Sequence, residues 1–135
     1  MTSTAPLGLR TSELKSYIDI LPGVASTPLT HAGTSVVNVL SYKLNGKMFA
    51  LLSVRLREDV IVKCDPHLAE LLREQYNGVG HRSHLDRRSW ICVALDADVP
   101  MEEVKRLVAA SYELVRRSLP RRAREELEAR SSTII

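Results

Sequence analysis

Lys43-Leu-Asn-Gly-Lys-Met-Phe-Ala-Leu-Leu-Ser-Val-Arg-Leu-Arg-Glu-Asp-Val-Ile-Val-Lys-Cys-Asp-Pro66 reads as strands joined by turns and handed on to a helix. Asn45-Gly46 sits between two apolar runs, and both residues tolerate the positive φ that a two-residue hairpin turn demands. After the turn, alternation predicts Met48, Ala50, Leu52, Val54 and Leu56 on one face and Lys47, Phe49, Leu51, Ser53 and Arg55 on the other. Val60-Ile-Val-Lys-Cys64 follows a charged turn as a third strand. Asp65-Pro66 then opens a helix, an N-cap acid followed by a proline whose fixed φ suits the first turn.

Outward from that seed, the β-branched run Ser35–Lys43 supplies the strand ahead of the turn. A short helix over residues 12–21 carries Leu14, Tyr17, Ile18 and Leu21 on one stripe, with Thr11 or Ser12 as its cap. Residues 22–34 hold Pro22, Gly23, Pro28 and Gly33 and read as a loop. Leu68, Leu71, Leu72 and Tyr76 stripe the helix after Pro66, and Asn77-Gly78 closes it. Residues 79–88 read as a short strand or extended loop, and Ser89–Leu95 as a strand. A long helix over residues 100–118 shows Val104, Leu107, Val108, Ser111, Tyr112, Leu114 and Val115 as a wide stripe, ended by Leu119-Pro120. Asp96 and Asp98 flank the turn before it, where capping accounts for them.

These elements predict an α+β two-layer sandwich, an antiparallel sheet with its helices on one face. Residues 1–10 read as a flexible tail, 11–120 as a single domain, and 121–135 as a basic-to-acidic helix or tail anchored only by Ala123, Leu127 and Ala129. The 135 residues suffice for one buried core, and no run approaches the ~20 apolar residues of a membrane span. The start lacks the basic and apolar segments of an export signal, so Cys64 and Cys92 read as reduced core residues of a cytoplasmic protein.

Formal net charge is +3. Residues 1–103 hold eleven Lys/Arg against twelve Asp/Glu, and residues 104–135 eight against four. The basic C-terminal quarter suits either phosphates or a solvated helix face that complements the macrodipole. No Gly-rich phosphate loop occurs among the six glycines, and no Ser or Cys is set up with a base and an orienting carboxylate. Ser111 falls on an apolar helix face. His81 and His84 lack the further ligands of a metal site. The expectation is a protein that is not an enzyme and has no cofactor and no metal. Trp90 reads as a sheet-face packing residue, and His84 as a hydrogen-bonding partner near it or near Asp65.

Leu21-Pro-Gly-Val24, Asn45-Gly-Lys-Met-Phe-Ala50, Val62-Lys-Cys-Asp-Pro66 with Leu71-Leu-Arg-Glu-Gln-Tyr76, His84-Leu-Asp-Arg-Arg-Ser-Trp-Ile-Cys-Val93 and Ser111-Tyr-Glu-Leu-Val115 together resemble the MmcQ/YjbR family. The match is collinear from about residue 12 to about 122. Two positions depart from the family pattern: Asp86 stands where Asn is usual, and Ser89 where a second His is common. The resemblance implies a fold similar to type III secretion chaperones and DNA binding through a "double wing" arrangement. Duplex DNA would then be held through phosphate contacts from Lys43, Lys47, Arg55, Arg82, His84, Arg87 and Arg88. Lysines beside a hairpin also serve simply to keep an edge soluble. The alternative is a chaperone-like protein-interaction or small-ligand module, using the open sheet face or a homodimer edge.

Overall fold

The structure, a computed structural model, describes residues 8–30, 33–55, 57–81 and 84–133. The order is α1 (Leu9–Asp19), β1 (Val24–Thr30), β2 (Val37–Leu44), β3 (Lys47–Ser53), β4 (Asp59–Lys63), α2 (Pro66–Gln75), β5 (Val79–Gly80), β6 (Trp90–Ala94), α3 (Met101–Ser118) and α4 (Arg121–Thr133). One six-stranded sheet runs β1-β2-β3-β4-β6-β5, with every neighbouring pair antiparallel. All four helices contribute to a single core cluster, through Leu14, Ala69, Leu107 and Leu127 among others. The α+β sandwich expected from the sequence is the fold observed.

Register shows which face that core covers. Leu40, Tyr42, Ala50, Leu52, Val60, Val62, Ile91, Val93 and Val79 lie opposite one another across the strands. All belong to the core or pack against it. Val39, Leu51, Ile61, Cys92 and Trp90 alternate with them and therefore face the other way.

Several local expectations need correction. Residues 24–30 are not a loop but β1, an edge strand pairing along β2. Beyond Val24 its residues are exposed, so there was no apolar alternation to read. α1 begins at Leu9 with Gly8 as its cap, and Thr11 is buried within the helix rather than capping it. The strict alternation in β3 fails at Phe49. The register shifts between Tyr42 and Lys43, so Tyr42 pairs with Ala50 but Lys43 with Met48. That bulge turns Phe49 inward beside Ala50, and both are fully buried. Phe49 then meets Tyr112 edge-on, with ring centroids 5.5 Å apart. Leu56 lies outside the described residues.

The hairpin and the helix start match their sequence signals. Asn45 and Gly46 both have positive φ, 51° and 81°. Asp65 caps α2, its Oδ2 accepting from the His67 and Leu68 amides at 3.1 Å each. Asn77-Gly78 does not close α2, whose C-cap is Tyr76 in an extended conformation. The Asn77 and Gly78 amides instead donate to the Asp98 carboxylate at 2.8 and 2.7 Å. Asp98 thus pins the α2–β5 turn and does not cap α3, whose N-cap is Pro100.

α3 crosses the core face with Val104, Leu107, Val108, Ser111 and Val115 buried. Ser111 Oγ donates to the Phe49 carbonyl at 2.6 Å and accepts from the Lys63 amide at 2.9 Å. One hydroxyl therefore satisfies the carbonyl at the β3 bulge and an amide at the end of β4. α4 docks through Leu127, which lies over Gly23 so closely that a side chain there would collide with it. Gly23 also has φ of 75°, which only glycine adopts without strain.

Two outcomes follow for stability. Ser111→Ala strands two buried backbone groups and should cost about 1–3 kcal/mol in urea unfolding, with m unchanged. Backbone donors hold the Asp98 carboxyl below its ordinary pKa, so the ionised acid favours the fold. Its contribution is present above the ordinary carboxylate range and is lost as pH falls through the lowered value. An Asp98→Asn variant should therefore melt with a weaker acid dependence below about pH 4 than the parent.

Candidate nucleic-acid interface

Antiparallel topology sorts the candidate cations between two ends of the sheet. β2 ends and β3 begins at the Asn45-Gly46 turn, while β4 ends and β6 begins at the Lys63–Trp90 pair. Lys43, Lys47, Arg87 and Arg88 therefore lie at one end. β2 and β6 have β3 and β4 between them, so this end is about 14 Å across from strand to strand. Arg55 follows the far end of β3, about 20 Å away along the strand. That exceeds the ~8–10 Å screening length at physiological salt, so Arg55 stands apart from the group. Arg82 lies outside the described residues.

The two hairpin lysines occupy opposite faces of this end. Lys43 pairs with Ala25 and follows the outward register of Val39 and Ser41. Lys47 reaches the helix layer, its Nζ 3.4 Å from Ser118 Oγ at the C-terminus of α3. A cation there complements the negative end of the helix. Lys63, which sequence reading passed over, faces outward opposite Trp90. Alternation in Val60-Ile-Val-Lys63 carried that signal, since Lys63 shares the face of Ile61. Among the described residues, Lys43, Lys63 and Arg87 form no ion pair with a carboxylate.

The turn bearing Arg87 and Arg88 is built tightly. Asp86 Oδ1 accepts from the Arg88 amide at 3.0 Å, and its carbonyl accepts from the Ser89 and Trp90 amides at 3.0 Å each. From α2, Arg73 Nη2 donates to the Arg87 carbonyl at 2.6 Å and the Trp90 carbonyl at 3.1 Å. Its buried Nε has no hydrogen-bond partner among the described residues. A groove of about 380 Å³ separates α2 from this turn, lined by His67, Glu70, Arg73, Glu74, Arg87 and Arg88. His84 is exposed and, among the described residues, bonds neither Trp90 nor Asp65, contrary to expectation.

Other charges are already committed. Glu113 takes both Nε and Nη2 of Arg116, at 2.9 and 2.5 Å, and Arg117 Nε at 3.4 Å. The Arg116 guanidinium holds the Glu113 carboxyl below its usual value. Burial, aided by Asp65, pushes the Cys64 thiol up to about 11, which leaves it neutral and unreactive at physiological pH. No described helix is long and apolar enough to cross a membrane.

The YjbR family model matches residues 21–114. YjbR of Escherichia coli strain K12 is 33% identical over 117 residues, covering 86% of this chain and 95% of that protein. The chain belongs to the YjbR family. YjbR of Escherichia coli O157:H7 matches to the same extent. The crystal structure of Deinococcus radiodurans protein DR2400 superposes with a TM-score of 0.74 at 27% identity, covering 87% of this chain and 86% of that one. A Pseudomonas syringae protein shares the fold at TM-score 0.62 and 19% identity, over 76% of this chain and 96% of its own. An Asn at position 86 could accept the same amide through its Oδ1, so Asp86→Asn keeps the turn and removes a negative charge beside Arg88, whose Nε is 3.8 Å away. Asp86→Asn should leave the melting temperature within about 2 °C. Asp86→Ala, which loses the acceptor, should cost about 1 kcal/mol in chemical unfolding.

Proposed function

We propose that this protein binds DNA without acting on it chemically, through phosphate contacts at the hairpin end of its sheet. One observation carries the reading: Lys43, Lys47, Arg87 and Arg88 gather at that end, together with Lys63. Phosphate-directed contacts need exposed cations, not a base-reading helix in a groove, and the hairpin and the 86–89 turn are the two projections that offer them. These projections are the counterparts of the two wings that the family resemblance implies. Of the acids at this end, Asp65 serves as the α2 cap and Asp86 lies within its turn, while Glu70 and Glu74 line the groove beside Arg87 and Arg88.

The outward sheet face supports a second reading. Leu29 is 44% exposed, and Val39, Leu51 and Ile61 are partly exposed and stand outside the core cluster. Such a face suits a protein partner or a second copy in a chaperone-like role. Pairing edge to edge is disfavoured, since β1 carries Pro28 and β5 is two residues long.

Duplex affinity measured by fluorescence anisotropy should fall steeply with salt. Single Ala substitutions at Lys43, Lys47, Arg87 or Arg88 should each reduce the log–log salt slope by about 1. Arg55→Ala should change neither slope nor affinity by more than about two-fold, since it lies beyond screening range. Salt-insensitive binding, or an Arg55→Ala loss equal to the others, would refute this assignment.

A further inference from the structure

Building on that DNA-binding reading, we propose that the open sheet face beside the hairpin end takes an unpaired nucleotide, with Trp90 stacking on its base and Lys63 holding its phosphate. The preferred ligand is then single-stranded nucleic acid rather than a closed duplex.

The placement comes from register. Val62 and Ile91 pair and are both fully buried, so Lys63 and Trp90, one residue on in each strand, lie together on the opposite face. The pattern continues past them, because the Cys64 amide donates to the Ser89 carbonyl at 2.7 Å and Cys64 returns to the core. Trp90 is partly exposed and stands outside the core cluster. The one tryptophan of the chain is therefore only partly covered. Beside it, Ile61 and Leu51 continue the apolar surface across β4 and β3.

Aromatic surface and charge decide the ligand. A twisted sheet with an aromatic ring standing on it offers a base one π-face, whereas bases inside a duplex have theirs covered by neighbours. Lys63 stands directly opposite Trp90, and Arg87 and Arg88 lie in the turn three and two residues before it. Among the described residues, Lys63 and Arg87 have no carboxylate to neutralise them. Asp59 is the acid on the outward register of β4. It sits four residues from Lys63 at the far end, where Ser53 Oγ donates to it at 2.7 Å. The charge beside the ring is thus positive, and a phosphate leaving a stacked base has cations to meet. Arg73 fixes the Trp90 carbonyl from α2 and holds the strand that carries the ring.

The test uses the tryptophan as its own reporter. Titrating the full-length protein with oligothymidylate at low salt should quench Trp90 emission, since a stacked base quenches indole. Trp90→Leu, which keeps apolar area and removes the ring, should lose about ten-fold in single-strand affinity by anisotropy with a labelled oligomer. Its duplex affinity should stay within about two-fold. Trp90→Phe should restore part of the loss. Oligothymidylate binding without quenching, or a Trp90→Leu loss equal for single strand and duplex, overturns the proposal and leaves phosphate-directed binding intact. A stable dimer whose Trp90 is shielded from acrylamide also overturns it, because the face is then an interface between copies. Failure of both nucleic acids to bind overturns the DNA-binding reading as well. The quenching measurement needs no variant, so poor folding of Trp90→Leu does not block the decision.

Discussion

The Ser111 hydroxyl is the constraint from which the layering follows. The bulge at Phe49 brings a large ring into the core and leaves its carbonyl needing a donor. The amide of Lys63, at the end of β4, needs an acceptor. Both lie under α3, the carbonyl buried and the amide partly so, and a buried backbone group without a partner is expensive. A hydroxyl at position 111 meets both needs only if α3 sits at one height and one rotation over β3 and β4. Sliding by a turn would move it by about 5.4 Å and orphan both groups. Hydrophobic contacts alone tolerate such slippage, because Val104, Leu107, Val108 and Val115 would find similar surfaces nearby. The polar bridge removes that freedom.

Fixing α3 fixes the distribution of charge. The C-terminus of α3 is delivered to the hairpin end, beside Lys47. Arg116 and Arg117 follow it there but share Glu113, so much of the basic C-terminal quarter is spent internally. The bland reading of that quarter, a solvated and self-paired helix face, describes most of it. The hairpin and the 86–89 turn are different, because Lys43, Lys47 and Arg87 form no ion pair among the described residues. A formal charge of only +3 is thus compatible with several unpaired cations at that end.

Much of this was legible in the chain. Asn45-Gly46 and Asp65-Pro66 are signals whose mechanism is local, so they transfer directly to structure. The stripe of α3 was equally plain. β1 was hidden because an exposed edge strand has no reason to alternate, and Pro28 pointed to a loop. The inward turn of Phe49 was hidden because a bulge is one residue of slippage, set by the partner strand rather than by its own sequence. Asp98 was misjudged for a related reason: its ligands, the amides of Asn77 and Gly78, are twenty residues away, whereas capping is a neighbourly effect. Of the site, the hairpin and turn cations were legible from sequence. That Arg55 sits at the other end, and that Lys63 shares a face with Trp90, required the strand order and register.

The one-sided covering of the sheet also sets an order in time. During synthesis from the N-terminus, β1 through β4 emerge as successive neighbours that can pair locally and quickly. The face they bury is roofed chiefly by α3, which begins at Met101. Until that segment has emerged, Tyr42, Phe49, Leu52 and Val62 form an apolar surface with no cover and a bulge carbonyl with no donor. Such intermediates are the aggregation-prone species of mixed folds. The nascent chain thus passes through a vulnerable interval, and Ser111 marks its close.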